Sequence, residues 1–204
     1  MAKSVDYFYD FSSPYAYLAH EEIERVAQSH GAVVKWRPFL LGGLFKTLGV
    51  QQAPILNSGP AKQNILMQDM FRWAEVRNLP FHWPANFPLN SVRPLRLMCQ
   101  VEGAQHAALA GDLFRQYWGL GTDISTAAVL EAAASCQGLD ATALLAGCDS
   151  PEVKQRLIAN TTEAAERGMC GAPSFFVGDQ LVWGQDRLDF VARLLTGWVP
   201  RGPD

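Results

Sequence analysis

An α/β fold with a long all-helical segment set into it is what the sequence predicts, on three observations. The chain opens strand–helix–strand, closes strand–turn–strand–helix, and carries only helical periodicity between. Val5–Phe11 is rich in aromatic residues and suits a strand. Pro14–His30 then places apolar residues at Tyr17, Leu18, Ile23 and Val26 before a stop signal at Gly31, and Val33–Phe39 follows as the next strand. A unit of this kind implies parallel pairing through a right-handed crossover. At the far end Pro173 precedes a buried strand, Gly178-Asp179 forms a tight turn to a second strand, and Asp186–Leu195 reads as a terminal helix.

Between these ends the strand signals vanish. Helical patterns occupy Pro60–Val76, Ser91–Glu102, Ala104–Trp118, Ser125–Ser135, Ala141–Leu145 and Pro151–Arg167, with a proline-rich loop at Leu79–Pro88. Ser125 is a candidate cap for its helix, and Ser150-Pro151-Glu152 reads as an N-cap followed by proline at the first helical position. The expected organisation is a discontinuous α/β domain, residues 1–41 and 169–204, with an inserted helical domain over 42–168.

At 204 residues the chain is long for one minimal domain and can bury a substantial core. A net charge of −3 and the absence of any Lys/Arg run give no support to nucleic-acid binding. The N-terminus enters a strand without the basic region and apolar run of a secretory signal, and no apolar stretch approaches the roughly 20 residues that span a bilayer. A soluble cytoplasmic protein is expected. Cys99, Cys136, Cys148 and Cys170 form no Cys-x-x-Cys and lie beside no histidine pattern for zinc, so no metal is expected. They read mostly as buried reduced thiols; Cys170 stands apart by its place shortly before Pro173. His20, His30, His82 and His106 show no convergent spacing and receive no role.

The most informative stretch is Phe8-Tyr9-Asp10-Phe11-Ser12-Ser13-Pro14-Tyr15-Ala16-Tyr17, a strand running into a helix with serine and proline at the junction. Pro14 suits the first helical turn, where its missing N–H would lack a partner anyway. Ser13 therefore sits at the positive end of a helix, where an anion, a thiolate included, is stabilised. It is equally an ordinary N-cap. The junction alone leaves both readings open.

Together with Phe39–Gly49, Pro60-Ala61-Lys62, Asp69–Ala74, Phe87–Arg96, Gly171–Pro173 and Trp183–Arg187, this junction resembles the 2-hydroxychromene-2-carboxylate isomerases and the related kappa-class glutathione transferases. Both are relatives of the DsbA-type disulfide oxidoreductases. The resemblance covers essentially the whole chain and implies a thioredoxin-like domain with an inserted all-helical domain. Disulfide-exchanging relatives carry Cys-x-x-Cys where this chain has Ser13-Pro14-Tyr15-Ala16, so no dithiol can cycle here. By resemblance the sulfur comes from glutathione as a cofactor, and the Ser13 hydroxyl favours its thiolate. Ser12 remains the alternative donor if the helix begins one residue earlier.

The resemblance also implies glutathione contacts at Lys62, at Ala172 before a cis Pro173, and at Gln185 and Asp186, of which Asp186 is also a candidate N-cap. Lys46, Tyr15, Asn90 and Arg96 are weaker candidates for a substrate carboxylate or aromatic ring; Arg96 and its neighbour Arg93 could equally brace the helical insertion. One departure stands out: Val50 follows Gly49 where kappa-class relatives have asparagine, with Asn57 the candidate replacement. The expected activity is glutathione-dependent interconversion of 2-hydroxychromene-2-carboxylate and trans-o-hydroxybenzylidenepyruvate in naphthalene-type aromatic catabolism. The alternatives are a kappa-like glutathione transferase and a non-catalytic DsbA-like binding protein. The expected partners are glutathione, a small aromatic carboxylate and a second copy of the chain, with no nucleic acid and no membrane.

Overall fold

The computed structural model describes residues 3–51 and 55–201. Residues 52–54, and the outer ends 1–2 and 202–204 of the expected α/β domain, lie outside them. Strand β1 (Lys3–Tyr9) pairs in parallel with β2 (Ala32–Pro38), and α1 (Pro14–Ser29) is the crossover between them. Strand β3 (Ser174–Val177) lies antiparallel to β1 with Phe175 opposite Tyr7, and β4 (Gln180–Trp183) lies antiparallel to β3. The sheet order is therefore β2-β1-β3-β4.

The period of two along β1 sends Val5, Tyr7 and Tyr9 to one face and Phe8 to the other. The first face packs under α1 and the terminal helix α9 (Leu188–Leu195), where Tyr7 stacks on Phe175 at 5.1 Å. Phe8 joins Phe39, Phe176 and Ala164 on the second face, which α8 (Pro151–Glu166) covers. Arg167, just after α8, lies 3.6 Å over the Phe176 ring and donates to Asp6 at 2.8 Å, closing that face. β1 ends at Tyr9, so Phe11 belongs to the turn into α1 rather than to the strand.

Between β2 and α8 run α2 (Leu41–Leu48), α3 (Pro60–Val76), α4 (Val92–Met98), α5 (Gly103–Phe114), α6 (Ala127–Cys136) and α7 (Ala141–Gly147). A π-helical turn, Arg115–Gly119, continues α5. It aims Trp118 so that its indole N–H donates to Phe11 O at 2.8 Å, tying the helices to the turn that leads into α1. Helix α2 has no counterpart in the sequence reading, although Gly42-Gly43 lie in its first turn. The structure gives Gly43 a use: a Cβ there would meet Thr161 Cγ2 at 3.0 Å, so glycine lets α2 lie close on α8.

Two cap expectations change. Ser125 bonds the Asp123 carboxylate through both its N–H and its hydroxyl, and Thr126 takes the position before α6. Helix α9 begins at Leu188 after Arg187, so Asp186 lies in the preceding turn and is not its N-cap. Ser150 caps α8 as expected, accepting from Val153 N at 3.2 Å. Ser150→Ala should lower stability by about 1 kcal/mol. A fall in the urea midpoint at unchanged slope is the sign of it, and an unmoved midpoint would count against the cap.

Two histidines are built into the core on the α1 side. His106 faces Val101 O through Nδ1 at 2.8 Å, which fixes that nitrogen as the donor and leaves Nε2 to accept from Tyr9 OH at 2.7 Å. His20 donates from Nε2 to Ala107 O at 3.1 Å, and its buried Nδ1 has no partner. Burial pulls both down from the ordinary 6.5 to about 4. Among the described residues no helix is long and apolar enough to cross a membrane.

Candidate active site

The turn from β1 into α1 builds the centre of the site. Ser13 is extended (φ −96°, ψ 116°), Pro14 opens the helix, and Ser13 Oγ accepts from Ala16 N at 3.2 Å. The same hydroxyl donates to Ala172 O at 2.9 Å. Ala172-Pro173 is a cis peptide bond at the entrance to β3. The two ends of the sheet layer thus meet at one oxygen, and the N-cap and the candidate thiol-activating group are the same atom. Ser12 is placed differently: its N–H donates to Asp10 Oδ1 at 2.9 Å and its hydroxyl also serves Asp10.

A cavity of about 420 Å³ opens over this junction. Its walls are chiefly apolar, with Leu41 and Phe45 from α2, Phe87 and Leu89 from the proline-rich loop, and Tyr15 and Trp183 near Ser13. Phe87-Pro88, on that wall, is a second cis peptide bond. The size and lining suit a small, partly aromatic molecule. No lysine or arginine is among the described residues that line it. Developing negative charge there meets hydroxyls, the Asn90 amide and backbone N–H groups instead.

Asp10 forms part of the cavity floor and is wholly buried. The sequence reading gave it no role. Its Oδ1 takes the Ser12 N–H and its Oδ2 takes Leu41 N at 2.7 Å. Burial pushes its carboxyl above the ordinary value, and the Ser12 and Leu41 N–H groups with the nearby Ser91 and Ser12 side chains hold the rise back. The available signal was an aspartate at a strand end, two residues before an N–H it can cap within the turn. Its partners Leu41 and Ser91 belong to distant segments, which the sequence does not join.

The other candidates scatter. Tyr15 and Asn90 line the cavity with Ser13 and Ala172. Asn90 Oδ1 also accepts from Val92 N at 3.3 Å. Lys46 and Lys62 are exposed on α2 and α3 and do not line it; Val50 does, and Asn57 does not. Arg96 turns to a separate groove against α8, with Nη1 3.7 Å from Asp149. That is the bracing arrangement, and it removes Arg96 from the substrate cavity.

Gln185 and Asp186 face a neighbouring groove beside α1 and the end of α3. The Gln185 carbonyl accepts from Arg77 Nη2 at 2.9 Å, while its side-chain Oε1 is buried without a partner. Asp186 pairs with Arg187 at 3.2 Å and lies near enough to Tyr15 to help raise its phenol above the ordinary value, behind the larger effect of burial. Cys99 and Cys148 are buried; Cys136 and Cys170 are exposed, contrary to the expectation for most of them, and Cys170 borders the cavity. Burial pushes the Cys99 thiol up to about 12, which makes it inert.

Residues 4–196 match the family described as the DSBA-like thioredoxin domain. A 2-hydroxychromene-2-carboxylate isomerase of Sphingobium xenophagum is 32% identical over 203 residues, covering 96% of this chain and 99% of that protein. Glutathione S-transferase kappa 2 of Caenorhabditis elegans is 29% identical, covering 95% and 92%. A solved structure of a 2-hydroxychromene-2-carboxylate isomerase superposes with a TM-score of 0.83 at 28% identity, covering 95% of each chain.

Proposed function

Because the chain belongs to the DSBA-like thioredoxin family and, within it, to the 2-hydroxychromene-2-carboxylate isomerases, we propose that it is a glutathione-dependent isomerase. The reaction is interconversion of 2-hydroxychromene-2-carboxylate and trans-o-hydroxybenzylidenepyruvate in the cytoplasmic catabolism of naphthalene-type aromatics, carried out by a homodimer. The observation that carries this reading is the Ser13 hydroxyl, set at a helix N-terminus against Ala172 with no cysteine at either end of Ser13–Ala16. Such a junction cannot supply its own sulfur.

The chemistry supplied by bound glutathione is reversible thiolate addition to the conjugated double bond, which becomes a rotatable single bond and returns the thiol unconsumed. Ser13 serves it by turning its O–H from the Ala172 carbonyl to the sulfur, a rotation about one bond that leaves the helix cap in place. The backbone of Ala172 and the turn at Gln185-Asp186 line up the peptide. The unpartnered Oε1 of Gln185 supports this placement, because a buried acceptor without a donor suits an ammonium or amide N–H. Lys62 at the start of α3 is a carboxylate contact in this reading. Ser12, Ser91 and Asn90 border the region where enolate charge develops.

One observation favours a second reading. The cavity is chiefly apolar and has no lysine or arginine among the described residues that line it, which suits an uncharged electrophile. That is the transferase reading, in which the sulfur stays attached to the product.

Calorimetric titration with glutathione, followed by free-thiol assay during turnover of 2-hydroxychromene-2-carboxylate, separates these. Saturable binding with isomer formed and thiol constant is expected. Thiol consumed in step with product turns the assignment to a transferase, and no binding at millimolar glutathione removes both enzymes and leaves the DsbA-like binding protein.

A further inference from the structure

We propose that Asp10 is the positioning residue that couples the thiol end of the site to the substrate end. The inference rests on the glutathione-dependent reading above. Asp10 is wholly buried, yet borders the cavity beside Ser13. Its main-chain carbonyl accepts from Ser13 N at 3.0 Å. Its carboxylate accepts from the N–H of Ser12 at 2.9 Å and of Leu41 at 2.7 Å, and the Ser12 and Ser91 side chains lie beside it.

These groups come from three separate segments. Ser12 and Ser13 form the turn that aims the candidate thiol-activating hydroxyl. Leu41 is the first residue of α2, whose preceding residue Leu40 offers no side-chain cap, so Asp10 caps that helix from another part of the chain. Helix α2 carries Leu41 and Phe45 into the cavity. Ser91 ends the wall that contains Phe87, Leu89 and Asn90. One carboxylate therefore ties the serine turn to α2 and lies beside Ser91 on the opposing wall.

Two other roles for a buried carboxylate are disfavoured by the same bonds. Each carboxylate oxygen already accepts a backbone N–H. Those bonds commit the group to holding the turn and α2, and a positioning role needs no proton transfer from the thiol. Its charge is also spread over those donors, which limits its opposition to a nearby thiolate.

The test uses the full chain with glutathione bound and reads the thiolate by its absorbance near 240 nm as pH is varied, alongside kcat and KM. In Asp10→Asn one of the accepted N–H groups faces an amide NH2, and the turn loses its aim. The expected result is a rise of about one unit in the pKa of the bound thiol and a fall in kcat of about 10–100-fold. Glutathione affinity should stay within about threefold, since the peptide-end contacts are elsewhere. A bound-thiol pKa that falls would mean Asp10 acts as a bare negative charge, and one that stays fixed while only melting temperature drops would mean a merely structural role; either overturns the proposal.

Ser91→Ala removes a single hydroxyl on the wall side and keeps the question open to refutation should Asp10→Asn fail to fold. It should raise KM for the aromatic carboxylate with the thiol pKa unmoved, and an unchanged KM overturns the coupling. Wild type that binds no glutathione defeats the functional reading itself, and with it this role. Wild type that binds normally beside a silent Asp10→Asn defeats the role of Asp10 alone.

Discussion

Ser13→Ala lowers turnover about tenfold while glutathione still binds. The reasoning is one of exchange. In the structure the hydroxyl already donates to Ala172 O at 2.9 Å, so moving it to a sulfur replaces one hydrogen bond with another. What the enzyme gains is the difference between a bond to a neutral carbonyl and a bond to a charged thiolate. Hydrogen bonds to charged groups contribute about 1.5–3 kcal/mol against roughly 1 kcal/mol for neutral pairs. Loss of that difference, about 0.5–2 kcal/mol, therefore lowers the reactive fraction and the rate by roughly tenfold, while affinity changes by only a few-fold. Because Ser13 is also the N-cap of α1, about 1 kcal/mol of stability goes with it. Ser12→Ala is the comparator, since the Ser12 hydroxyl faces Asp10, and its effect should be several-fold smaller. Measured kcat within about threefold of wild type for Ser13→Ala, or a larger loss for Ser12→Ala, would move the activating role off Ser13.

Acidification is expected to destabilise the fold well before most carboxylates titrate, through His20 and His106. Each is held neutral in the core with a pKa lowered from 6.5 to about 4. Between those values the unfolded chain binds protons that the native state refuses, so stability rises with pH across this window and is lost as pH falls through it. From about pH 7 to about pH 5 the loss is roughly 2 kcal/mol for each histidine, an order-of-magnitude figure.

The geometry gives the same sign. Protonated His106 would put a second donor against the Tyr9 hydroxyl, and protonated His20 would bury an N–H without an acceptor at Nδ1. Asp10 acts in the opposite sense. Its raised carboxyl keeps its proton in the folded chain at pH values where the unfolded chain has lost it. One carboxylate does not offset two buried imidazoles that must stay neutral. Urea unfolding at the two pH values reads the difference, and His106→Gln should remove about half of it. Equal stability at pH 7 and pH 5 would show that these rings titrate normally.

The features legible in the sequence were those fixed by local backbone chemistry. Pro14 after Ser13 and Gly178 at φ +59° mark turns that no tertiary contact has to explain. The parallel β1–α1–β2 unit and the terminal hairpin followed from them. Features set by contact between distant segments were not legible. Gly43 serves the approach of Thr161 on α8.

The site divides along the same line. Ser13, Tyr15 and Ala172 come together because each follows directly from a strand end or turn already read, while Asn90 reaches the cavity from the proline-rich loop. Arg96 fails because the orientation of α4 depends on α8, which sequence spacing does not encode. Asp10 was within the quoted motif, but its importance lies in partners from segments folded onto it.

The bond between Ser13 and Ala172 also bears on selectivity among thiols. A site whose hydroxyl is already satisfied gains from a thiolate only the excess of a charged over a neutral hydrogen bond. A free cysteine or another short thiol would break that contact and bring no peptide to compensate. In the glutathione-dependent reading proposed above, most of the affinity therefore comes from the far ends of the tripeptide, at Ala172, Gln185 and their neighbours, and small mercaptans are expected to compete poorly for the helix end.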